Sequence, residues 1–349
     1  MFGWALGRLA DRDLLKGRTV GVDATTLEAN AAMRSIVRRD TAAGYDEFLT
    51  ELARQSGIET PTREDLARLD RSRKNKASNQ DWMSPSDPDA RITKMKDGAT
   101  HLAHKAEHAV DMETGAVIAV TLQAADQGDT TTIRETLAEA GRTVAELIER
   151  EVETAPEAKP QVNPRGIEEV VADKGYHSGS TVQAIGEAGA RTYIPEPQRK
   201  PRKWDGKAAE QKAVYGNRRR VRGEYGKRLL KKRGELIERS FAHCYETGGM
   251  RRLHLRGREN VLKRQLIHVG AFNLSLILRR MLGAGKPREF HNREEQLRGA
   301  ILCLWMAWSR SNRRSQRPQP ALRGQARAIR CPPRRPCRHR ISGGFTTGC

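Results

Sequence analysis

Three acidic residues of this sequence stand where carboxylates could hold metal ions. Asp23 follows an alternating apolar run at 19–22, and Asp173 follows the apolar run at 170–172. Glu238 lies in a stretch of helical periodicity at 236–247. Hard divalent cations prefer oxygen ligands, and a pair of such ions can stabilise both the attacking and the leaving oxygen of an in-line displacement at phosphorus. Two carboxylates at strand ends and a third on a helix therefore predict a two-metal site for phosphodiester chemistry.

The charge of the chain points to a polyanionic partner. The 349 residues include 64 Lys or Arg against 43 Asp or Glu, which gives a net charge of +21. Such an excess favours phosphate backbones first, because cationic side chains that neutralise phosphates release bound counterions. A membrane is the weaker alternative, since the apolar stretches at 272–278 and 300–308 fall short of the roughly 20 residues that span a bilayer. The N-terminus does not resemble a secretory signal.

The elements that must position the acids are those of an α/β protein. A strand at 19–23, a hairpin at 109–122 and strands at 167–172 and 191–195 alternate with helical segments. The helices are expected at 45–52, 63–69, 132–151, 181–188, 236–247 and 259–282, with a long polar loop at 72–99. Asp129 is a candidate N-cap for the helix at 132–151. This order predicts a mixed sheet flanked by helices, with Asp23 and Asp173 at the ends of adjacent parallel strands.

Three histidines, His101, His104 and His108, have a spacing that suggests a metal cluster on a helix. The surrounding pattern has the period of a strand, so their side chains would alternate between faces. We therefore expect surface histidines here. The five cysteines include no CxxC pair and favour neither a zinc site nor a disulfide framework, which is consistent with a reducing compartment.

Two segments are strongly basic. Residues 198–235 hold 15 Lys or Arg against four Asp or Glu, with Trp204, Tyr215 and Tyr225 between them. Aromatic side chains among cations favour contact with a DNA backbone together with base stacking, and a solvated insertion is the alternative. The tail at 310–349 holds 11 Arg and no acidic residue. It is typical of a disordered interaction arm, or of a coding sequence read out of frame.

Short motifs around the acids resemble a known family. The segments 22–25 (VDAT), 172–176 (ADKGY) and 237–241 (IERSF), followed by 248–252, 255–260 and 272–274, are similar to the DDE transposases of bacterial insertion sequences, in the insertion sequence four superfamily. The resemblance covers about residues 17–282. It implies an RNase H-like fold, cut-and-paste chemistry on double-stranded DNA at transposon ends and target, and a location at the bacterial nucleoid in the cytoplasm. It leaves a homodimer open.

The same resemblance assigns roles to individual residues. Asp23, Asp173 and Glu238 would be the catalytic acids and would hold two Mg²⁺ ions, with Mn²⁺ as a substitute. Many members place a lysine seven residues after the glutamate, where this chain has Tyr245. Arg251 or Arg252 could contact DNA in its stead. The DNA-binding candidates are Arg218, Arg219, Arg220, Arg251, Arg252, Arg256, Arg258 and Tyr176, although packing in the core is the favoured role for Tyr176.

Many members also carry a helical DNA-binding domain before the first aspartate, and only 22 residues precede Asp23 here. The expected division is a remnant of a helical region at 1–18, a catalytic domain at 19–282 with the basic insertion at 198–235, a short helical extension at 283–309 and the tail at 310–349. This departure suggests a truncated copy. Two alternatives to an active transposase therefore stay open: an inactive remnant that only binds DNA, and an RNase H-like nuclease without strand transfer.

Overall fold

A computed structural model describes residues 2–73, 76–95, 97–198 and 202–282, together with Leu302 and Met306. The chain divides into two units, Met1–Glu289 and Phe290–Cys349. In the second unit the two described residues are helical and exposed. The expected extension at 283–309 otherwise lies outside the described residues, as does the whole arginine-rich tail, so both stay predictions.

Eight helices and eight strands occur in the described part of the first unit. The helices are α1 (Phe2–Ala10), α2 (Tyr45–Gln55), α3 (Arg63–Ser72), α4 (Asp129–Thr154), α5 (Gly179–Glu187), α6 (Ala208–Arg222), α7 (Glu224–Glu246) and α8 (Arg258–Leu282). The strands are β1 (Thr19–Glu28), β2 (Val37–Arg38), β3 (Trp82–Met83), β4 (Arg91–Lys94), β5 (Thr100–Asp111), β6 (Val117–Ala124), β7 (Glu169–Ala172) and β8 (Arg191–Tyr193). None of these helices is both long and apolar enough to cross a membrane.

Six strands form the central sheet in the order β4-β5-β1-β7-β8, with β6 beside β5. β4, β5, β6 and β1 are joined by antiparallel pairs, whereas β1, β7 and β8 are parallel. The predicted mixed α/β sheet flanked by helices is confirmed, and it is consistent with the RNase H-like fold that the resemblance implies. β1 is therefore the central strand, with an antiparallel neighbour (β5) on one side and a parallel neighbour (β7) on the other.

The two faces of β1 are buried against different helices. Val20 and Val22 pack with apolar residues of α1 and α4, including Leu6 and Val144, in one hydrophobic cluster. The alternate residue Leu27 packs in a second cluster with apolar residues of α7 and α8, among them Ile237. Side chains alternate between the two faces of a strand, so the alternation in the sequence directs Gly21 and Asp23 toward the face that α7 covers.

At each of two edges of the sheet, a buried asparagine of a helix is hydrogen-bonded to the sheet backbone. Asn273 of α8 accepts the N–H of Val117 at 2.9 Å and donates to its carbonyl oxygen at 2.8 Å. Asn217 of α6 does the same for Ile194, next to β8, at 3.0 and 2.7 Å. Both amides thereby satisfy the backbone groups that edge strands otherwise leave unpaired. The helices are thus fixed to the sheet by polar contacts as well as by apolar packing.

Several sequence predictions are corrected by the fold. The segment at 72–99 is not one loop, because it contains β3 and β4, and Trp82 is buried in a third hydrophobic cluster. Asp129 is not an N-cap: α4 begins at Asp129 after Gly128. His104 and His108 are buried rather than on the surface. His104 lies 3.0 Å from the carboxylate of the buried Asp87.

The described part of the basic segment at 198–235 folds into α6 and the first half of α7. α7 continues without a break into the stretch that carries Glu238. The start of that helix is therefore much earlier than the predicted residue 236. The basic residues at 227–233 and the candidate glutamate consequently share one rigid element.

Candidate active site

The register of β1 and β7 brings two of the three acids together. Val22 pairs with Ala172 in the parallel ladder, so the next residues along the strands, Asp23 and Asp173, are neighbours. Asp173 keeps an extended backbone, with φ −73° and ψ 167°. The prediction of adjacent parallel strands is confirmed, whereas the prediction that Asp23 ends its strand is wrong. β1 runs on to Glu28, paired with β5, and only β7 stops at this level.

The carboxylate of Asp23 is half-buried and has two partners. Its Oδ1 accepts the backbone N–H of Ala24 at 2.8 Å, and its Oδ2 accepts a hydrogen bond from Nη1 of Arg233 at 2.8 Å. Burial raises the pKa of Asp23 above its usual range, and the negative charge of Asp173 adds to that rise, while Arg233 opposes it. The two aspartates therefore repel each other across the strand ends. An added cation relieves such repulsion.

Asp173 itself is exposed, and its Oδ1 accepts the N–H of Lys174 at 2.6 Å. The next residues form a single 3-10 turn that ends at Tyr176. A Cβ on Gly175 would lie 2.5 Å from Oδ2 of Asp129, so a side chain at this position would displace the carboxylate of Asp129. The turn after Asp173 is consequently packed closely against the start of α4.

Tyr176 anchors this turn in the core. The residue is 1% exposed, and its hydroxyl donates to Oε1 of Glu107 at 3.1 Å. Burial, with the charge of Glu107 next, raises the pKa of Tyr176 far above its usual range. The hydroxyl is therefore always a donor. This burial corrects the assignment of Tyr176 as a DNA contact, because its ring does not reach the surface.

Glu107 is fully buried and is held by four side chains. Besides Tyr176, its carboxylate accepts hydrogen bonds from Thr132 and, at 2.6 Å, from Thr136. Lys105 lies 3.3 Å from Oε1 of Glu107 and 2.6 Å from Oδ1 of Asp129. A buried charge is tolerated only when it is paired and hydrogen-bonded in this way. The cluster links β5, α4 and the turn that follows Asp173.

Glu238 lies on α7, the helix that crosses β1. Ile237 packs over Gly21, since a Cβ there would lie 3.3 Å from its Cδ1. Ser240 binds Nδ1 of His108 at 2.9 Å, and His108 pairs with Asp23 in the β1–β5 ladder. Glu238 therefore lies one residue from Ile237, which contacts β1, and two residues from Ser240, which contacts β5. Its own side chain is exposed.

The three acids are not gathered into one metal-ligand group. In the part of the chain that the structure describes, no three His, Cys, Asp or Glu side chains are close enough together to hold a metal ion. Two adjacent carboxylates nevertheless fit a hard cation such as Mg²⁺, which usually takes one or two protein carboxylates and fills its shell with water and substrate phosphate. Asp23 and Asp173 meet that condition, and the role of Glu238 stays a prediction.

Four candidate arginines lie in or beside the loop between α7 and α8. The carbonyl oxygen of Arg251 accepts the N–H of Glu28, and the carbonyl oxygen of Glu28 accepts the N–H of Leu253, so the loop extends the end of β1. The side chains of these four arginines are exposed. Arg251 lies over the ring of Tyr245 at 5.0 Å, and Arg252 pairs with Glu28 at 3.5 Å. Arg256 donates to the carbonyl oxygen of Asn30 at 3.0 Å, and Arg258 pairs with Glu135 at 3.3 Å.

Tyr245 stands where many relatives of the suggested superfamily have lysine. Its hydroxyl is hydrogen-bonded to Thr25, two residues beyond Asp23 on β1. The residue therefore fastens α7 to β1 and also supports the guanidinium of Arg251. The contact of Arg251 or Arg252 with DNA in place of that lysine stays a prediction.

The three arginines of α6 differ from one another. Arg218 forms an ion pair with Glu196 at 2.8 Å, and Arg220 donates to the carbonyl and hydroxyl oxygens of Thr192 at 3.0 and 3.1 Å. Arg219 is exposed. Arg220 thus supports β8, and Arg219 is the one of the three most available to a phosphate.

Sequence reasoning missed two residues of the site. Arg233 lay unnoticed within the basic run, and its contact with Asp23 joins residues 210 positions apart. Glu107 could have been noticed in the sequence, because an acidic residue within a long strand pattern must be either exposed to solvent or paired in the core.

Comparison with known families agrees with this architecture. Residues 77–274, more than half of the chain, match the family described as Transposase DDE domain. The matched range contains Asp173 and Glu238, and Asp23 lies before it. No curated protein and no solved structure gives a significant match. The family implies an enzyme of the nuclease and transposase type that binds DNA and generally uses divalent metals. From this match and its α/β fold, the chain belongs to the transposase DDE domain family.

Proposed function

We propose that this protein is a DNA transposase that cuts DNA strands in a metal-dependent reaction and transfers the cut strand of an insertion sequence to new DNA. Asp23, Asp173 and Glu238 are its catalytic acids. The observation that carries the proposal is the β1–β7 register, which sets Asp23 beside Asp173 at the level where β7 ends. Acidic side chains at that place, in a chain of net charge +21, are suited to phosphodiester chemistry.

Each acid has a distinct part in the reaction. Asp23 and Asp173 would hold the cations through their carboxylate oxygens, and Glu238, exposed on α7, would be the third acid. Bound Mg²⁺ supplies Lewis-acid activation of the attacking oxygen and stabilises the leaving oxygen. The Tyr176–Glu107 contact fixes the turn that follows Asp173, so the carboxylate is oriented before substrate arrives.

The exposed arginines bind the DNA backbone. Arg251, Arg252, Arg256 and Arg258 extend from the end of β1, and Arg228, Lys231 and Lys232 line the exposed side of α7 before Glu238. Guanidinium groups bind phosphates through two parallel hydrogen bonds. The first surface adjoins the end of β1, the strand of Asp23, and the second lies on α7, the helix of Glu238.

The finer features of the proposal follow the resemblance to the insertion sequence four superfamily. The three acids would hold two Mg²⁺ ions, replaceable by Mn²⁺, and the substrates would be double-stranded transposon ends and target DNA at the bacterial nucleoid. A homodimer would bring two transposon ends together.

The test uses the full chain and a labelled duplex that carries the inverted repeats flanking its gene. With Mg²⁺, we expect cut ends and joined products. Asp173→Asn should lower cleavage by at least about a hundredfold, because the carboxamide loses the charge that holds the cation. DNA retention should change little. The control is Asp126→Asn, at an exposed aspartate, which should cleave like the parent.

Each other result selects a different function. Cleavage without joined products identifies an RNase H-like nuclease. Retention of DNA without cleavage identifies an inactive remnant. If Asp173→Asn cleaves at the rate of the parent, Asp173 is not a metal ligand and the site assignment is wrong.

A further inference from the structure

Arg233 is the one basic residue of its stretch of α7 that is turned toward the sheet. Arg228, Lys231 and Lys232 are exposed, whereas the side chain of Arg233 is only 14% exposed and reaches Oδ2 of Asp23 at 2.8 Å. The contact places the positive charge of the Arg233 guanidinium next to a carboxylate of the candidate metal site.

The aliphatic stem of Arg233 lies beside Gly21 on β1. A Cβ on Gly21 would be in ordinary contact with Cγ of Arg233, at 3.4 Å, and would lie only 2.5 Å from Sδ of Met112. The stem of Arg233 thus packs against β1, and its guanidinium reaches Asp23 two residues farther along the strand.

Among the described residues, the guanidinium of Arg233 is hydrogen-bonded through one nitrogen only. Nη1 binds Asp23, while Nε is buried and has no hydrogen-bond partner among the described residues. Arginine can bind a carboxylate through two parallel hydrogen bonds, and a buried donor without a partner is unfavourable. The ion pair thus lacks the geometry that would make it hard to break.

We propose that Arg233 is an exchangeable counterion of Asp23, a role that rests on the function proposed above. Without DNA, Arg233 neutralises Asp23 and competes with a divalent cation for Oδ2. When the cation binds, Arg233 leaves and pairs with a DNA phosphate beside the exposed basic residues of α7. Metal and DNA then each remove the competitor of the other, so their binding is cooperative in both directions.

The test measures the binding of Mn²⁺ directly, from the free ion by electron paramagnetic resonance, in the presence and absence of a random-sequence DNA duplex. Arg233→Met keeps the stem over Gly21 and removes the charge. We expect it to tighten Mn²⁺ binding without DNA by about tenfold, since a cation close to a half-buried carboxylate is screened only in part. Arg233→Lys keeps the competing charge and should stay within about threefold of the parent.

Lys227→Gln is the matched control, because it removes the same charge from an exposed residue of the same helix that is not among the proposed DNA contacts. It should change Mn²⁺ affinity by less than about twofold. In the parent, the DNA duplex should tighten Mn²⁺ binding, and Arg233→Met should lose most of that gain. The parent comparison needs no variant and tests the coupling even where Arg233→Met does not fold.

The outcomes separate this inference from the proposed function. If Arg233→Met and Lys227→Gln tighten Mn²⁺ binding equally, or if DNA does not affect Mn²⁺ binding in the parent, the proposed exchange is wrong and the metal site is unaffected. Asp173→Asn should weaken Mn²⁺ binding in both the parent and the Arg233→Met background. If no binding sensitive to Asp173→Asn occurs in either background, the metal site and the exchange are both wrong.

Discussion

Removal of one hydroxyl group, in Tyr176→Phe, tests the buried cluster that supports Asp173. The hydroxyl donates to Oε1 of Glu107 at 3.1 Å, and Glu107 is fully buried. Phenylalanine fills the same space, so the change creates no cavity. Because burial raises the pKa of Tyr176 far above its usual range, the parent keeps this donor at every working pH.

The expected cost follows from the partners of the carboxylate. A hydrogen bond to a charged group contributes about 1.5–3 kcal/mol. Glu107 keeps Lys105, Thr132 and Thr136 after the change, so the loss should fall at the lower end of that range. We expect the free energy of unfolding to drop by about 1.5–2 kcal/mol.

Urea denaturation followed by circular dichroism measures this difference. The control is Tyr215→Phe, at an exposed tyrosine of α6, which should change stability by no more than about 0.5 kcal/mol. In a double-mutant cycle with Glu107→Gln, the two losses should not add fully, because one variant removes the donor of this hydrogen bond and the other removes the charge that strengthens it.

The reasoning is refuted if Tyr176→Phe unfolds at the same urea concentration as the parent. It is also refuted if the losses in the cycle add fully, since Tyr176 and Glu107 would then act independently. A cost in Tyr215→Phe equal to that in Tyr176→Phe would show that the effect belongs to tyrosine hydroxyls in general rather than to this cluster.

Three further predictions concern the buried asparagines beside the sheet, the pH dependence of stability, and the arginines of α6. Asn217→Leu and Asn273→Leu should each lower the free energy of unfolding by about 2–4 kcal/mol, because each leaves a buried N–H and a buried C=O unpaired; equal stability to the parent in urea denaturation contradicts this. Burial lowers the pKa of His108 to about 3. Between about pH 6.5 and pH 3, the imidazole is therefore protonated in the unfolded chain but not in the folded one. The free energy of unfolding should fall across this range by up to about 1.4 kcal/mol per pH unit as the pH is lowered. His108→Gln should flatten this slope between pH 7 and 5, and an unchanged slope rules His108 out as its source. Arg219→Ala should reduce the slope of log DNA affinity against log salt concentration by about 0.9 per phosphate contact. Arg220→Ala should instead lower the melting temperature, because Arg220 supports Thr192. The reverse pattern would contradict these contacts.

The sequence by itself determined the local elements and the two aspartates. The apolar runs before Asp23 and Asp173 identify buried strands, because side chains that face a core on both sides of a sheet must be apolar. Acidic residues directly after such runs are therefore conspicuous, and the match over residues 77–274 agrees with the family that these motifs suggest. The segment at 72–99 was misread because its strands are two and four residues long and carry little pattern.

Only the tertiary structure decided what surrounds the acids. Periodicity indicates which face of an element is buried, but it does not name the partner across a gap of 210 positions, as between Asp23 and Arg233. The same holds for Glu107 and Tyr176, whose contact depends on the packing of β5 against the turn after β7. Strand length was also decided by pairing: Thr25 and Thr26, which are polar, remain in β1 because β5 continues beside them. The sequence thus determines which side chains are available, and the packing of distant elements determines which of them meet.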